Sequence, residues 1–261
     1  MLLISLLSFS GCAVSNAESR EPAIDEKVSV ELEPLSSDSR QPVLVELFTS
    51  EGCSSCPPAD RQLTFLEKNQ PVAQAEIITL SFHVDYWNQL GWKDEYSSAA
   101  YSNRQREYAP KFNSESVYTP QMVVDGDAEF VGSNAGKAAN AIANAAKAQK
   151  GKVEASIEGN ILKVAVSAMP RHGNAGVFLA IAEDGIVTDV RRGENAGSRL
   201  PHISVVRELK EIATLGSAAN TKNIEFNVET LTSWKRENLK YIVFVQEDES
   251  RKVIAVGKAG K

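Results

Sequence analysis

At 261 residues the chain is long enough for one large or two medium domains, and its hydrophobic content of 43% can fill a sizeable core. The formal net charge of −6 at pH 7 argues against nucleic acid or an anionic membrane surface as the main partner. The composition is that of an ordinary globular protein, without a low-complexity tract.

The N-terminus has the character of an export signal. Residues 1–10 are an apolar run that is too short to span a bilayer as a helix. The small residues and Cys12 that follow are similar to the lipobox at which bacterial lipoproteins are cut and lipidated, although Phe9 stands where leucine is usual. We predict a signal and lipobox over residues 1–12, with a plain cleaved signal or an N-terminal strand as the alternatives.

A polar, acidic segment and a strand–helix–strand pattern follow. Residues 13–41 are predicted to be a linker. Residues 43–48 are a nearly continuous apolar run, which is typical of a buried parallel strand. Two prolines then open a predicted helix over 59–68, because proline is tolerated in a first helical turn. A second buried strand over 76–83 completes a βαβ unit, whose crossover is right-handed.

The next segments change in character along the chain. An insert over 85–116 is rich in aromatic residues and is predicted to be helical over 97–108. A hairpin is expected over 121–131, because Asp-Gly-Asp at its centre is a turn signal, and Asn134 is expected to cap an alanine-rich helix. Beyond Gly151, short β-branched segments between turn residues indicate a smaller antiparallel β domain.

The cysteines carry the strongest chemical signal. The chain has three, so lipidation of Cys12 would leave Cys53 and Cys56 as a pair, and an oxidising compartment preserves disulfides. The pair precedes a predicted helix, whose free N–H groups and partial positive charge stabilise a thiolate. Disulfide exchange requires such a thiolate. Cys53 is expected to be the exposed, attacking sulfur and Cys56 the resolving one.

Other uses of the pair stay open. A zinc site normally needs two more ligands at short spacing, and the sequence has no second cysteine pair. A structural disulfide closing so short a loop would gain little stability. A soft ion such as copper(I) could be held by Cys53, Cys56 and His83, because thiolates select soft metals.

The arrangement around the cysteines is similar to the thioredoxin superfamily. Residues 52–57 stand between a strand and a helix, and Thr119 and Pro120 precede the predicted hairpin. The resemblance implies a cis peptide bond before Pro120, which would face the cysteines and shape a substrate groove. Thr119, Tyr118 and Trp87 are expected to bind substrate in that groove.

A closer resemblance is to a family of secreted bacterial proteins of unknown function with a thioredoxin-like fold. It covers roughly residues 42–250 and rests on the motifs at residues 48–60, 83–87, 90–92, 117–124, 192–195 and 205–207. The resemblance implies an α/β protein with a thioredoxin-like domain over 42–150 and a smaller antiparallel, β-rich domain over 151–261. It implies no particular reaction, because the family has none assigned.

Glu46 corresponds best to the buried acid that assists proton transfer in thioredoxins, although one extra residue separates it from the motif. We predict that it shuttles protons, and the alternative is a solvated charge at a strand end.

The sequence thus predicts an exported thiol–disulfide exchange protein whose catalytic residues are Cys53, Cys56, Pro120 and Glu46. The alternatives are a soft-metal module and a binding protein with a thioredoxin-like scaffold and no redox turnover. The expected partners are thiols or disulfides of exported proteins in the periplasm or cell envelope. Neither a cofactor nor nucleic acid is expected, and the membrane would be reached only through a lipid on Cys12.

Overall fold

The computed structural model describes residues 40–260. The signal and lipobox predicted for 1–12, with lipidation of Cys12, and nearly all of the linker predicted for 13–41 lie outside the described residues. Among the helices of the described part, none is both long and apolar enough to cross a membrane.

Strands and helices alternate in the first half of the described chain. In order they are β1 (Gln41–Thr49), α1 (Pro57–Asn69), β2 (Ala75–His83), α2 (Ala99–Tyr108), β3 (Gln121–Val124), β4 (Ala128–Val131) and α3 (Ala135–Ala145). The predicted βαβ unit, the helix in the insert, the hairpin and the helix capped by Asn134 are all confirmed. Helix α3 is shorter than expected and ends at Ala145.

The second half is built mainly of strands. They are β5 (Lys152–Glu158), β6 (Ile161–Ser167), β7 (Ala175–Glu183), β8 (Ile186–Asp189), β9 (Arg199–His202), β10 (Val205–Leu215), β11 (Lys222–Asn227), β12 (Leu239–Glu247) and β13 (Val253–Gly260). A short 3-10 helix, Arg236–Asn238, precedes β12.

Strands from both halves share a single sheet. Over residues 40–260, eleven strands pair in the order β11–β6–β5–β13–β12–β7–β10–β2–β1–β3–β4, and β8 pairs with β9 apart from them. The first and second halves meet where β10 runs parallel to β2, with Val205 beside Ser81. The predicted fold class, a thioredoxin-like domain followed by a smaller antiparallel β domain, is therefore wrong. Strand β2 is an interior strand of a large mixed sheet, which the second half extends.

Polar side chains hold the junction between β2 and β10. The Ser81 N–H donates to the carbonyl of Ser204 at 2.8 Å, and the Thr79 and Ser204 hydroxyls lie 2.8 Å apart. Lys240 of β12 donates to the Ser204 hydroxyl at 2.7 Å. Thr79 and Ser204 are 125 residues apart in the chain, so local sequence patterns carry no signal for this pairing.

Strand β1 separates two layers of the core. Its side chains alternate, so Val45 and Leu47 pack with Leu63 of α1, whereas Leu44 and Phe48 belong to the cluster that contains Tyr108 of α2. Helices α1 and α2 therefore cover opposite faces of β1.

Glu46 lies between Leu44 and Phe48 in the sequence and points toward α2. Its carboxylate accepts from the Arg104 Nε at 2.6 Å and from the Tyr108 hydroxyl at 2.5 Å. Gln246 of β12 completes the network, since it accepts from Arg104 at 3.1 Å and donates to Tyr108 at 2.8 Å. All four side chains are buried, so the alternative of a solvated charge at Glu46 is wrong.

Replacing Glu46 with glutamine should lower the free energy of unfolding by about 3–5 kcal/mol, because it leaves the buried Arg104 without its counter-charge. Equilibrium urea denaturation measures the change. The matched control is Glu76→Gln, which removes a half-exposed ion pair with Lys258 and should cost about 0–1 kcal/mol. Equal losses in the two variants would contradict a stabilising role for the buried pair.

Candidate functional site

The cysteine pair lies in the loop between β1 and α1. Cys53 and Cys56 form a disulfide with their Cα atoms 5.4 Å apart. Cys56 immediately precedes α1, and its carbonyl accepts from the N–H groups of Ala59 at 2.8 Å and Asp60 at 3.1 Å. The predicted position of the pair at a helix N-terminus is therefore confirmed.

Both cysteines are shielded from solvent. Cys53 and Cys56 are each 0% exposed, whereas Ser54 and Ser55 between them are exposed. The expectation that Cys53 presents an exposed sulfur is wrong in this state of the molecule. A protein thiol could reach the disulfide only if the groups packed around it moved.

One side of the disulfide is formed by the segment before β3. The Thr119–Pro120 peptide bond is cis, as the resemblance implied, and Pro120 is buried. The Thr119 hydroxyl donates to the Cys53 Sγ at 3.4 Å, and the indole N–H of Trp87 donates to the same hydroxyl at 2.8 Å. The Ser55 hydroxyl also lies 3.4 Å from Cys53 Sγ. Hydroxyl groups thus surround the sulfur at which exchange is predicted.

The three residues predicted to bind substrate lie in different surroundings. Thr119 and Trp87 are at the disulfide, as described above. The Tyr118 hydroxyl instead hydrogen-bonds to Glu129 of β4, and its carbonyl accepts from Gln105 at 2.7 Å. A role for any of the three in binding substrate stays a prediction.

A loop from the second half of the chain, residues 191–197, covers the other side of the disulfide. The Asn195 side-chain amide donates to the carbonyls of Glu51 and Cys53, both at 2.9 Å, and is itself buried. The Glu194 carboxylate accepts from the N–H of Ser54 at 3.1 Å. These contacts fix the backbone of the cysteine loop on both sides of Gly52.

The same loop packs closely on the insert that follows β2. Gly91 and Gly193 both have positive φ, of 101° and 77°, and a Cβ on Gly91 would lie 3.4 Å from the Gly193 Cα. A Cβ on Gly193 would lie 3.1 Å from the Trp92 Cβ. Residues 191–197 are therefore docked on the cysteine loop and on the insert.

A buried cluster of ionisable side chains lies at the C-terminal ends of β1 and β2, beside the cysteine loop. His83 Nδ1 is 2.7 Å from Asp94 Oδ2, and that oxygen also accepts from the N–H of Glu51 at 2.9 Å. Asp94 therefore orients the imidazole and joins it to the cysteine loop. Both side chains are fully buried.

His202, the last residue of β9, completes the cluster. Its Nε2 lies 3.3 Å from Glu51 Oε1, and its ring centroid is 4.9 Å from that of His83. The second oxygen of Glu51 accepts from the indole N–H of Trp92 at 2.8 Å. Residues from both halves of the chain thus contribute to one acid–base cluster, which we call the histidine–carboxylate cluster (Glu51, Asp60, His83, Asp94 and His202).

The cluster shifts the protonation of its members. Burial by itself lowers the pKa of His83, but the Asp94 carboxylate outweighs burial and the pKa is raised above 6.5. Burial acts to raise the pKa of Asp94, yet the charge and hydrogen bond of His83 leave that pKa below its ordinary value. The pKa of Asp60 is raised by burial, and the nearby His202 and His83 only partly offset the increase.

The copper alternative gains no support from the geometry. Cys53 and Cys56 are bonded to each other, so their sulfurs are not free thiolates. His83 already uses Nδ1 to contact Asp94. Among residues 40–260, no group of three His, Cys, Asp or Glu side chains is placed to hold a metal ion.

Glu46 stands apart from this site. It faces α2, whereas Leu63 of the cysteine-bearing helix α1 packs on the opposite face of β1. Its carboxylate is bound by Arg104 and Tyr108. The predicted role of Glu46 as a proton shuttle remains a prediction, and no contact described above links it to the cysteines.

Asp60, Asp94, Asn195 and His202 are not among the predicted site residues. Asp60 and Asn195 belong to motifs that carried the family resemblance, so a signal was present, but nothing indicated that they were adjacent in space. His202 follows a proline in a short polar strand and carries no local mark of function. Only the pairing of β10 with β2 brings His202 to the site.

Comparison with known proteins gives a family and no activity. A family described as a protein of unknown function, DUF1223, matches residues 44–246. The expected resemblance to a family of unknown function is confirmed. No curated protein matches the chain significantly.

Solved structures support the fold alone. A protein of Agrobacterium tumefaciens, solved as a structural-genomics target, is 24% identical with a TM-score of 0.67, and the match covers 83% of this chain and 93% of that one. A domain of the outer membrane lipoprotein Omp28 from Porphyromonas gingivalis is 17% identical over 41% of this chain and 82% of that one. Its TM-score is 0.23.

Opening the cover over the disulfide should accelerate its reduction. Asn195→Ala removes two buried hydrogen bonds to the cysteine loop, each worth about 1 kcal/mol. The rate of reduction by excess dithiothreitol should rise roughly 10- to 30-fold, because each 1.36 kcal/mol is a factor of ten. Alkylation of the released thiols, followed by mass spectrometry, measures that rate.

The matched control for this experiment is Arg191→Ala, an exposed position at the start of the same loop, which should leave the rate unchanged. Circular dichroism confirms that both variants are folded. An unchanged rate in the folded Asn195→Ala variant would show that the loop does not limit access.

The His83–Asp94 pair should make stability depend on pH. The unfolded chain loses the His83 proton near its ordinary pKa of 6.5, whereas the folded protein retains it to higher pH. The free energy of unfolding therefore decreases as pH rises from about 6.5 through the folded pKa. Urea denaturation between pH 6 and 9 should show a weaker decrease in His83→Gln. An equal decrease in the wild-type protein and in His83→Gln would contradict this role of the pair.

Proposed function

The chain belongs to the DUF1223 family of proteins of unknown function, and we propose that it exchanges disulfides with exported proteins through Cys53 and Cys56. The observation that carries the proposal is the placement of this disulfide. It lies at the N-terminus of α1, and the Thr119 hydroxyl donates to the Cys53 sulfur. Both features favour a thiolate over a thiol, and the thiolate is the species that exchanges.

The exchange is a balanced transfer between two dithiols. A thiolate of the substrate attacks the Cys53 sulfur, the bond between Cys53 and Cys56 breaks, and Cys56 leaves as a thiolate that takes up one proton. The second substrate thiol loses its proton and attacks the substrate sulfur of the mixed disulfide, which releases Cys53. The substrate is oxidised by two electrons and the protein is reduced. In reverse, Cys53 attacks a substrate disulfide and Cys56 resolves the intermediate.

The groups around Cys53 have separable tasks in this reaction. The Thr119 hydroxyl stabilises negative charge on the sulfur, and Trp87 fixes the orientation of that hydroxyl. Pro120 has no N–H group and lies buried beside it, where it shapes the approach to the sulfur. Asn195 and Glu194 hold the cysteine loop closed until a partner displaces them.

The sequence supports a proposal for the partners and the location of the protein. We propose that exported proteins with thiols or disulfides are the partners, in the periplasm or cell envelope. The apolar run of residues 1–10 supports export, and Cys12 supports a lipid anchor. The net charge of −6 supports a protein rather than a nucleic acid as partner.

The burial of both sulfurs favours a second candidate, a binding protein whose disulfide is never turned over. Cys53 and Cys56 are 0% exposed, and a permanently covered disulfide has no access to a protein thiol. The two candidates differ in one respect that can be measured, namely whether the pair forms mixed disulfides with other proteins.

Cys56→Ser tests the proposal in the native host. Without a resolving sulfur, Cys53 should accumulate mixed disulfides with exported proteins, which are isolated after acid quenching and released by dithiothreitol. Cys53→Ser is the matched control, because it leaves one cysteine of the pair in place at the other position, and it should trap far fewer partners. Equal capture by the two variants would refute exchange through Cys53 and favour the second candidate.

A further inference from the structure

Buried polar atoms without a hydrogen-bond partner are concentrated in the histidine–carboxylate cluster. Among the described residues they include Asp60 Oδ1, His83 Nε2 and His202 Nδ1. Buried polar groups in folded proteins are nearly always paired, so each unpaired group costs stability. A concentration of such atoms beside the disulfide indicates groups retained for chemistry.

Asp60 links this cluster to the cysteine pair. It lies four residues after Cys56, and its N–H donates to the Cys56 carbonyl at 3.1 Å. Residues four apart on a helix lie on the same face, so Asp60 and Cys56 share a face at the start of α1. Asp60 is only 9% exposed, and one of its oxygens is unpartnered.

We propose that Asp60 is the general acid and base for Cys56, with His202 and the His83–Asp94 pair as its charged neighbours in the same cluster. The proposal rests on the disulfide exchange proposed above and names the group that handles the proton of the resolving sulfur. When the disulfide opens, the Asp60 carboxylic acid donates its proton to the Cys56 thiolate as the bond to Cys53 breaks. When the disulfide forms, the Asp60 carboxylate takes the proton from the Cys56 thiol, and the thiolate attacks Cys53.

The charges around Asp60 suit both directions of this transfer. Burial favours the protonated acid, whereas His202 and His83 favour the carboxylate, and Asp94 opposes them. Glu51 faces His202 and Asp94 faces His83, so each imidazole is balanced by its own carboxylate. Together they leave the pKa of Asp60 above its ordinary value, and a carboxyl group with a raised pKa is better suited to give and accept a proton.

A proton-handling role accounts for the open nitrogens better than a metal does. The described part of the chain holds no group of three His, Cys, Asp or Glu side chains placed around one metal position. The imidazole of His83 has Nδ1 fixed by Asp94 and Nε2 free, and the ring of His202 is 4.9 Å away. One free nitrogen on an oriented ring is suited to exchange a proton with a neighbour.

The test separates the two chemical steps with the reduced protein and Ellman's disulfide. Attack by Cys53 releases the first coloured thiolate, and attack by Cys56 on the mixed disulfide releases the second. We expect Asp60→Asn to slow the second release about 100-fold at pH 7 without changing the first, because general base catalysis contributes about 10²–10⁴-fold. Asp60→Glu should partly restore the rate. Glu67→Gln, another acid on α1, should leave both steps unchanged.

The pH dependence of the second release distinguishes proton transfer by Asp60 from a purely structural role. His202 lowers the pKa of Asp60, so His202→Gln should raise the pH midpoint of the second release. If Asp60→Asn does not fold, the pH midpoint of His202→Gln tests the proposal in its place. An unchanged midpoint, an unchanged second step in Asp60→Asn, or stoichiometric metal in the wild-type protein would overturn the proposal. If Cys53 fails to react at all or Cys56→Ser traps no partner, exchange itself is refuted.

Discussion

The parallel contact between β2 and β10 is the constraint on which the rest of the molecule depends. It is short, with Val205 beside Ser81 and a hydrogen-bonded group around Ser204, yet it joins the two halves of the chain into one sheet. Because β9 and the loop before it precede β10, this contact fixes where they lie. His202 and Asn195 reach the cysteine loop for that reason.

The two faces of β1 carry polar networks with different consequences. On the α2 face, Glu46, Arg104, Tyr108 and Gln246 satisfy one another, so this network stabilises the fold. On the other side, the histidine–carboxylate cluster leaves several buried atoms unpaired. Burial alone does not distinguish a stabilising acid from a reactive one. The two kinds of acid differ in whether the buried polar atoms around them all have hydrogen-bond partners.

Features specified by nearby residues could be predicted from the sequence. The strand before the cysteines, the prolines that open α1 and the hairpin signal at 125–127 all act within a few residues, and each element formed as expected. The fold class could not be predicted, because the alternation of β2 is compatible with an edge strand or an interior one. The partner of Glu46 depends on which helix covers which face of β1. Likewise, a polar loop such as 191–197 has the same composition at a surface and over a site.

The loop that covers the disulfide is synthesised well after the two cysteines. Asn195 follows Cys53 by 142 residues, which at a synthesis rate of about 5–20 residues per second takes roughly 7 to 28 s. During that interval the growing chain carries both sulfurs without the loop that later encloses them. Until that loop has been made and has docked, it covers neither sulfur. Once β9 and β10 have docked, access depends on displacing the loop, so the finished protein is far more selective about what reaches its disulfide than the nascent one.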